Sequence, residues 1–214
     1  MAIVFREKNY NDDVALYELD GNEMEQCLQL GFNETISSVE NIASKQKQQH
    51  RLATSLLLYE MTGMKLNIQH NEHGKPFISG SERKISVSNS RNFVAVMLSN
   101  ESTGVDIQII QPKIIRIAHK FMSDKEMSQL DKNEFIEHLL IYWSAKEAIY
   151  KAYGREKVSF RQNISIEPFS FNRKGNIKGY VLSADENKEY KMKYEFIKGC
   201  VLVYIYNSQF KTNY

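Results

Sequence analysis

The sequence predicts an α+β fold of two pseudo-symmetric halves, each a small antiparallel sheet packed on a long helix. The order of short strands, long helix and short strands occurs twice, on either side of about Ser102. Each long helical pattern ends at a glycine, Gly63 or Gly154, where a left-handed residue is favourable. We therefore expect an N-terminal half over residues 1–102 and a C-terminal half over residues 103–214.

In the first half, strands are predicted over residues 2–5 and 14–19, and a short helix lies between Gly21 and Gly31. A single long helix is predicted over residues 37–61, with Ser37 as its cap and Glu40 completing a capping box. The next predicted strands are bounded by Gly, Asn and Ser turn signals, at residues 66–69, 76–78, 84–88 and 93–99.

The second half opens with a predicted strand over residues 104–109. Two helices follow, at about residues 113–121 and 123–130, and then a long helix over residues 133–153. The remainder is predicted to be a meander of four strands, at residues 163–166, 179–182, 190–196 and 200–206.

Composition excludes several classes of protein. The chain has 214 residues, 42% of them hydrophobic, so it can form one large or two small cores. The net charge of +2, from 28 basic and 26 acidic side chains, indicates neither a nucleic-acid nor a membrane partner. Two cysteines are too few for a disulfide scaffold or a cysteine metal site.

The N-terminal segment does not have the pattern of a signal peptide. Residues 6–8 are charged, and residues 1–10 lack an apolar core segment. Apolar runs elsewhere are too short to cross a membrane. We therefore expect a cytoplasmic protein.

The segment GVDIQI, residues 104–109, is the first candidate for chemistry. On a strand, its branched apolar residues point one way, whereas Asp106 and Gln108 lie side by side on the other face. A carboxylate and an amide oxygen suit a hard cation such as Mg²⁺. The alternative is a strand with one solvated face, because alternation of this kind is ordinary.

The segment WSAKEAIYK, residues 143–151, is the second candidate. On a helix, Trp143, Glu147 and Lys151 share one face, and Lys146 follows around the turn. The alternative is a salt-bridged amphipathic helix, since glutamate four residues before lysine is the favourable orientation. Considered together, Asp106 and Glu147 could hold a metal between strand and helix, with the two lysines supplying positive charge for a phosphate or pyrophosphate.

Two upstream segments could also contact a phosphate. In HGKPF, residues 73–77, Gly74 permits a turn and Pro76 fixes the chain, so Lys75 is presented from a rigid loop. In SVSNS, residues 86–90, hydroxyl, amide and backbone N–H groups could bind phosphate oxygens. The alternatives are a plain turn for the first segment and a hydroxyl-capped turn for the second.

These four motifs, in this order, resemble the 4′-phosphopantetheinyl transferases in their larger, two-repeat form. The family pattern contains Gly-[Val/Ile]-Asp-Ile-Glu and, further on, Trp-[Ser/Thr/Cys]-x-Lys-Glu-[Ala/Ser]-x-x-Lys, which stand here as GVDIQ and WSAKEAIYK. Its upstream Gly-Lys-Pro and Ser-[hydrophobic]-Ser-His-Ser elements stand as HGKPF and SVSNS. The resemblance extends over about residues 45–168.

The resemblance implies a fold and an activity. The fold would have three-stranded sheets, with the active site in the cleft between two halves of a monomer. The enzyme would transfer the phosphopantetheine arm of coenzyme A to a serine of an apo acyl or peptidyl carrier protein, with Mg²⁺ as cofactor. Such carriers serve fatty-acid, polyketide or nonribosomal peptide synthesis.

The resemblance also implies residue roles. Asp106 and Glu147, with Gln108, would bind the magnesium ion that holds the coenzyme A pyrophosphate. Glu147 would accept the proton of the carrier serine, directly or through a water molecule. Lys151 would stabilise or protonate the departing 3′,5′-ADP. The remaining residues implied for coenzyme A are Lys75, Pro76, Ser88 and Lys146, the last as a phosphate anchor.

Three positions depart from the family pattern. Gln108 stands where a glutamate is usual, Asn89 where a histidine contacts the 3′-phosphate, and Ser55 where an arginine is common. Asn89 can donate a hydrogen bond to a phosphate but brings no charge. Binding of the 3′-phosphate would then depend on a basic stretch of one helix, at Lys45, Lys47 and Arg51, whose alternative interpretation is a solvated face.

These departures leave a second function open. The chain could be a non-catalytic homologue that binds coenzyme A or a carrier protein as a regulator or partner. The complete WSAKEAIYK segment together with Asp106 favours the enzyme. An unrelated phosphate-handling fold is less favoured, because the chain lacks a GxxxxGK[ST] loop.

A docking surface for the carrier is predicted next to the metal strand. Lys113, Arg116 and Lys120 fall on one helical face and would attract a small acidic carrier domain. The alternative is an ordinary solvated helix face.

Overall fold

The computed structural model describes residues 2–154, 158–182 and 187–207, which form a mixed α+β fold. The strands are β1 (Ala2–Lys8), β2 (Asp12–Glu18), β3 (Ile68–His70), β4 (Pro76–Ile78), β5 (Lys84–Ser90), β6 (Phe93–Ser99), β7 (Val105–Ile109), β8 (Ile164–Ile166), β9 (Lys174–Leu182), β10 (Asn187–Ile197) and β11 (Cys200–Ile205). The α-helices are α1 (Glu23–Gln29), α2 (Asn33–Val39), α3 (Lys45–Thr62), α4 (Ala118–Phe121), α5 (Asp124–Met127) and α6 (Phe135–Tyr153), and a 3₁₀-helix spans Pro112–Ile117.

The strands form two larger antiparallel sheets and a ribbon. The first sheet has the order β1-β2-β6-β5, the second has the order β7-β11-β10-β9-β8, and β3 pairs with β4. The expectation of three strands in each sheet is therefore wrong, since the two sheets have four and five strands. The predicted pseudo-symmetry of the halves and the division between residues 102 and 103 stay predictions.

Buried side chains stack these elements in four layers. Helix α3 packs on one face of the first sheet through a cluster that includes Leu57, Leu58, Ile85 and Val96. The opposite face of this sheet packs on the second sheet through a cluster that includes Leu16, Met97, Val105, Ile107 and Leu202. Helix α6 packs on the second sheet through a cluster that includes Ala145, Ile149, Val201 and Val203. Strand β7 therefore lies between the first sheet and α6.

Serine side chains of β5 join the two sheets at β7. The hydroxyl oxygens of Ser86, Ser88 and Ser90 accept hydrogen bonds from backbone N–H groups of β7, at 3.0, 3.3 and 3.3 Å. Because alternate residues of a strand face the same way, all three serines point at β7. This seam fixes the register of the strand that carries Asp106 against β5.

The predicted helix over residues 37–61 is wrong in one respect, because the chain forms two helices there. Helix α2 ends at Val39, and α3 begins after Ser44, whose hydroxyl oxygen accepts the Lys47 N–H at 3.4 Å. The break lets α1 and α2 fold back onto α3 around a small core that contains Cys27, Phe32 and Leu56. Local capping by Ser44 therefore replaces the capping predicted for Ser37.

The predicted ends of both long helices are confirmed. Gly63 ends α3 with φ of 71°, and Gly154 ends α6 with φ of 65°. A residue with a side chain is strained in this left-handed region, so glycine favours termination at both points. Within the described ranges, no helix combines the length and apolarity required to cross a membrane.

Candidate active site

A close approach of β7 to α6 builds the first part of the site. A Cβ atom placed on Gly104 would lie 1.9 Å from the backbone oxygen of Ala148, so any side chain there would collide with α6. Ser102 strengthens the contact, since its hydroxyl donates to the Ala152 carbonyl. The glycine that precedes Asp106 therefore lets the strand reach the helix face that bears Glu147 and Lys151.

Asp106 is buried and held by three side chains from three elements. Its Oδ1 accepts from the Ser88 hydroxyl at 2.8 Å and from the Lys151 ammonium at 2.9 Å. Its Oδ2 accepts from the Gln108 amide at 3.1 Å. The carboxylate is thus fixed in place by β5, β7 and α6 together.

Lys151 links the helix to the strand directly. Its Nζ donates to the Val105 carbonyl at 2.8 Å as well as to Asp106. Its side chain is 26% exposed, so the ammonium can also meet a ligand from the solvent side. A half-buried cation in this place can neutralise a phosphate that approaches Asp106.

Glu147 lies close enough to Asp106 for the two charges to interact. Burial raises the pKa of Glu147 to about 7, and the Asp106 carboxylate adds to this rise, whereas Lys151 opposes it. Two carboxyl groups that share one site disfavour each other's charged form. We call Asp106, Glu147 and Lys151 the acid centre. A general base whose pKa is near 7 is well matched to neutral conditions.

The donor atoms of the acid centre fit a magnesium ion. Mg²⁺ takes oxygen ligands and is usually held by one or two carboxylates together with water and phosphate oxygens. Burial is the main cause of the raised pKa of Glu147, and a cation would offset the smaller contribution from Asp106. Gln108 presents its amide nitrogen to Asp106, so its oxygen would reach a cation only after the amide turns.

The number of protein ligands available to a metal ion is small. Across residues 2–154, 158–182 and 187–207, no group of three or more His, Cys, Asp or Glu side chains could hold a metal ion. A site with two carboxylates leaves most coordination positions to water and substrate, which is typical of magnesium at phosphate-transfer sites.

A cavity of about 740 Å³ lies on the other face of β5. It is lined by residues between Gly31 and Asn89, including the cations Lys47, Arg51 and Lys65. Val87 and Asn89 of β5 contribute to the wall. Strand β5 thus serves both regions, because its serines face the acid centre while the residues between them face the cavity.

The cavity lining combines apolar surface with polar groups and carries an excess of positive charge. His50 and His70 line it together with the three cations, and Glu34 contributes a carboxylate. The His50 Nε2 lies 2.6 Å from the Arg91 carbonyl oxygen, and this contact fixes the ring in the N-terminal part of α3. Such a lining suits a ligand with phosphate groups and a polar ring.

A family model described as the 4′-phosphopantetheinyl transferase superfamily matches residues 102–199, which contain the whole acid centre. Residues 102–199, a little under half of the chain, are therefore similar to that superfamily. The resemblance seen in the sequence is therefore confirmed.

Curated relatives agree with the superfamily assignment. Over 101 residues the chain is 29% identical to 4′-phosphopantetheinyl transferase Sfp of Bacillus subtilis (strain 168), which covers 45% of each chain. It is 32% identical to 4′-phosphopantetheinyl transferase gsp of Aneurinibacillus migulanus over 88 residues, 40% of this chain and 37% of the relative. A further B. subtilis 4′-phosphopantetheinyl transferase is 25% identical over 148 residues, 61% of this chain and 62% of the relative. The matches to the first two span less than half of their length.

Lys146, in the superfamily motif, does not lie where the sequence interpretation expected it. Its side chain is 0% exposed, and its ammonium lies 2.8 Å from Glu126 Oε2. Three backbone carbonyls complete its surroundings, so its donors are taken within the protein. The predicted role of Lys146 as a phosphate anchor is contradicted by this burial.

The other residues predicted to bind coenzyme A lie either in the cavity lining or outside it. Pro76, Asn89, Lys47 and Arg51 line the cavity, as does Ser55, whereas Lys45 does not. Ser88 lies at Asp106 and is buried, so it supports the carboxylate rather than the cavity wall.

Lys75 also lies outside the cavity lining, at the end of α6. A Cβ atom on Gly154 would be 2.7 Å from its Nζ. Burial lowers the pKa of Lys75, and the charges of Lys84 and Lys188 lower it further. A contact from Lys75 to coenzyme A stays a prediction.

The predicted docking residues lie on the 3₁₀-helix and α4. Lys113, Arg116 and Lys120 are all exposed. Residues three apart eclipse each other on a 3₁₀-helix, so Lys113 and Arg116 share a face. Their use in docking stays a prediction.

The sequence interpretation missed Glu126 and Lys65. Glu126 is buried and completes a capping box with Ser123, a signal that Ser-x-x-Glu already carried in the sequence. Lys65 reaches the cavity from the loop after α3, where its Nζ donates to the Gly31 carbonyl at 3.1 Å. A single charged loop residue carries no pattern from which this position could be predicted.

Proposed function

We propose that this protein transfers the 4′-phosphopantetheine group of coenzyme A to a serine of an apo acyl or peptidyl carrier protein. The observation that carries the proposal is the acid centre, where Asp106 and Glu147 interact beside the Lys151 ammonium. The match of residues 102–199 to the transferase superfamily supports the same reaction.

The reaction needs a base and charge neutralisation. The serine hydroxyl attacks the β-phosphorus of coenzyme A, and a new P–O bond forms while the pyrophosphate P–O bond breaks. Glu147 accepts the hydroxyl proton, directly or through a water molecule, and so acts as the general base. The leaving group is 3′,5′-ADP.

Lys151 and the metal ligands act on the leaving group. The Lys151 ammonium lies beside Asp106, where the pyrophosphate is proposed to bind. From there it can neutralise or protonate the departing phosphate oxygen. Asp106 and Glu147, with Gln108 or water, would hold magnesium, which when bound supplies charge neutralisation on the pyrophosphate oxygens. Ser88 keeps Asp106 in the orientation that this requires.

The 740 Å³ cavity is proposed to bind the nucleotide end of coenzyme A. Lys47 and Arg51 are one helical turn apart on α3, so both can reach one phosphate. This pair would replace the charge that Asn89 does not supply. The cavity and the acid centre share β5, which lets one extended ligand contact both.

The carrier protein is proposed to approach Lys113, Arg116 and Lys120. These residues follow β7 closely in the chain and lie on the exposed side of the 3₁₀-helix and α4. A cleft between the two halves would then admit the carrier serine, and the protein would act as a monomer.

Mass spectrometry of an apo carrier protein tests the proposal. The carrier is incubated with this protein, coenzyme A and Mg²⁺, and we expect a mass gain of one phosphopantetheine group. Carriers from fatty-acid, polyketide and peptide synthesis should be tried in parallel. Tight binding of coenzyme A without any mass gain would instead favour the non-catalytic homologue.

A further inference from the structure

A buried ion pair involves Lys146, the residue that precedes Glu147 on α6. Lys146 Nζ is 2.8 Å from Glu126 Oε2, and the two side chains are 0% and 5% exposed. Removing two charges from water costs several kcal/mol for each ion, roughly, unless other hydrogen bonds satisfy the remaining atoms. The surroundings of this pair must therefore supply those bonds.

Lys146 is satisfied by three backbone carbonyls from two segments of the chain outside α6. Its ammonium donates to the carbonyl oxygens of Phe121 at 2.8 Å, Ile164 at 2.7 Å and Phe160 at 2.9 Å. Phe121 ends α4, whereas Phe160 precedes β8 and Ile164 begins it. One side chain thus ties the middle of the catalytic helix to two neighbouring segments.

Glu126 completes the connection from the other side. Its Oε2 accepts from the Ser123 N–H at 2.9 Å and the Ser123 hydroxyl at 3.0 Å, and its Oε1 accepts from the Ile166 N–H at 3.0 Å. Both carboxylate oxygens are therefore used within the protein. We call Glu126 and Lys146 the buried strut.

The strut bears directly on the orientation of Glu147. Neighbouring residues on an α-helix point about 100° apart, so fixing Lys146 in the core fixes the direction of Glu147. A rotation of α6 by about 20° would move a side-chain end by about 2 Å at helix radii of this size. A misplacement of about 1 Å can lower a catalysed rate about a hundredfold.

We propose that Glu126 and Lys146 are positioning residues, which hold α6 in the rotation that brings Glu147 to Asp106. This inference rests on the proposed function, because it assigns Glu147 to the acid centre. The strut does not touch coenzyme A, and it acts on turnover through Glu147 alone. It also joins α5 and the end of α4, the helix that carries Lys120, to the catalytic helix.

The test separates positioning from ligand binding and from simple stability. Lys146→Met and Glu126→Gln each break the strut while they keep the length of the side chain. Ile177→Ala is the matched control, because Ile177 is buried in the hydrophobic core cluster on which α6 packs. Lys125→Met removes an exposed lysine next to Glu126 and controls for charge.

Turnover, coenzyme A affinity and thermal unfolding are measured for each variant at a temperature where all are folded. We expect kcat to fall at least about tenfold in both strut variants, whereas the Kd for coenzyme A stays within about twofold. Ile177→Ala should lose thermal stability but keep kcat, and Lys125→Met should keep both. A large loss of coenzyme A affinity with kcat preserved would overturn the proposal, since Lys146 would then contact the ligand. Equal kcat in the strut variants and Ile177→Ala would overturn it as well.

A double variant covers the case in which a single variant does not fold. Glu126→Gln/Lys146→Met leaves no unpaired buried charge, so the cost of that charge is absent. The helix still lacks its bonds to Phe121, Phe160 and Ile164, so kcat should remain low. Recovery of wild-type kcat in the double variant would contradict the positioning role.

Failure of the proposed function can be distinguished from failure of the positioning role. If the proposed function is wrong, the wild-type protein will modify no carrier. The strut is then judged by calorimetric binding of Mg²⁺ alone, which requires no carrier. Mg²⁺ affinity that falls in both strut variants, relative to Ile177→Ala, supports positioning of Glu147. Unchanged Mg²⁺ affinity overturns it.

Discussion

The cavity and the acid centre lie on opposite faces of the same strand but have opposite electrostatic character. The cavity is open and lined by Lys47, Arg51 and Lys65, which are exposed. The acid centre is half-buried, and burial together with the Asp106 carboxylate raises the pKa of Glu147. The cavity therefore suits an anionic ligand, whereas the proposed roles of the acid centre are to hold a cation and to accept a proton.

Under the proposed function, ligand binding would depend on exposed charges, whereas the chemical step would depend on the geometry of buried groups. Exposed cations are carried on long, flexible side chains, so they can adapt to a ligand. The carboxylate of Asp106 is held by Ser88, Lys151 and Gln108 and has little freedom to adapt. Variants of the two regions should therefore affect different kinetic constants.

The largest effect is expected at Glu147. Glu147→Gln removes the proton acceptor but keeps the shape of the side chain, so kcat should fall about 10²- to 10⁴-fold. The fold and the Kd for coenzyme A should change little, because the cavity lies on the other face of β5. Single-turnover kinetics of carrier modification measure this loss. Near-normal turnover in a folded Glu147→Gln protein would remove Glu147 from the chemistry.

A smaller effect is expected in the cavity. Arg51→Gln and Lys47→Gln should each raise the Kd for coenzyme A about tenfold, with kcat at saturating coenzyme A preserved, since each removes one charge-assisted hydrogen bond. The matched control is Lys45→Gln, on the same helix but outside the cavity lining.

Calorimetry with coenzyme A and with its 3′-dephospho form locates the contact in the cavity. The wild type should prefer coenzyme A, and both cavity variants should lose that preference. An equal loss in Lys45→Gln would indicate general electrostatic attraction rather than a bound phosphate.

A several-fold effect is expected at the docking residues. Reversing the charges of Lys113, Arg116 and Lys120 to glutamate should raise the KM for the carrier and leave that for coenzyme A unchanged. Lys178→Glu and Lys191→Glu provide exposed controls on β9 and β10. The salt dependence of kcat/KM should also flatten. Equal changes for both substrates would exclude a carrier surface at this place.

The smallest effect is a change of stability with pH. The folded pKa of Glu147, about 7, is above its usual value of 4.5, so the folded state prefers the protonated carboxyl. This contribution is present below the unfolded pKa and is lost as the pH rises through 7, by at most about 3 kcal/mol. Urea unfolding of metal-free protein should therefore show wild type losing stability relative to Glu147→Gln between pH 5 and pH 8. A constant difference between the two proteins would show that Glu147 titrates normally.

The sequence predicts the acid centre well because local pattern determines both of its elements. Alternation placed Asp106 and Gln108 on one face of β7, and four-residue spacing placed Glu147 and Lys151 on one face of α6. The glycines at the ends of α3 and α6 need backbone conformations that other residues avoid. These features can be predicted because they depend on neighbours in the chain.

The features that the sequence did not predict depend on distant contacts. Lys146 is adjacent to Glu147 in sequence, yet its direction is set by Glu126 and by carbonyls from two other segments. The helix break at Ser44 depends on how α1 and α2 pack on α3. The cavity joins residues of α2, α3, β3 and β5, which no local pattern brings together.

Calorimetric binding of Mg²⁺ in the presence of coenzyme A tests most directly whether Asp106 and Glu147 act on one cation. Wild-type protein is compared with Asp106→Asn and Glu147→Gln, which keep the shape of each side chain. We predict one magnesium site in the wild type and a similar, severe loss of affinity in both variants. Wild-type affinity in either variant would contradict the assignment of that carboxylate to the metal.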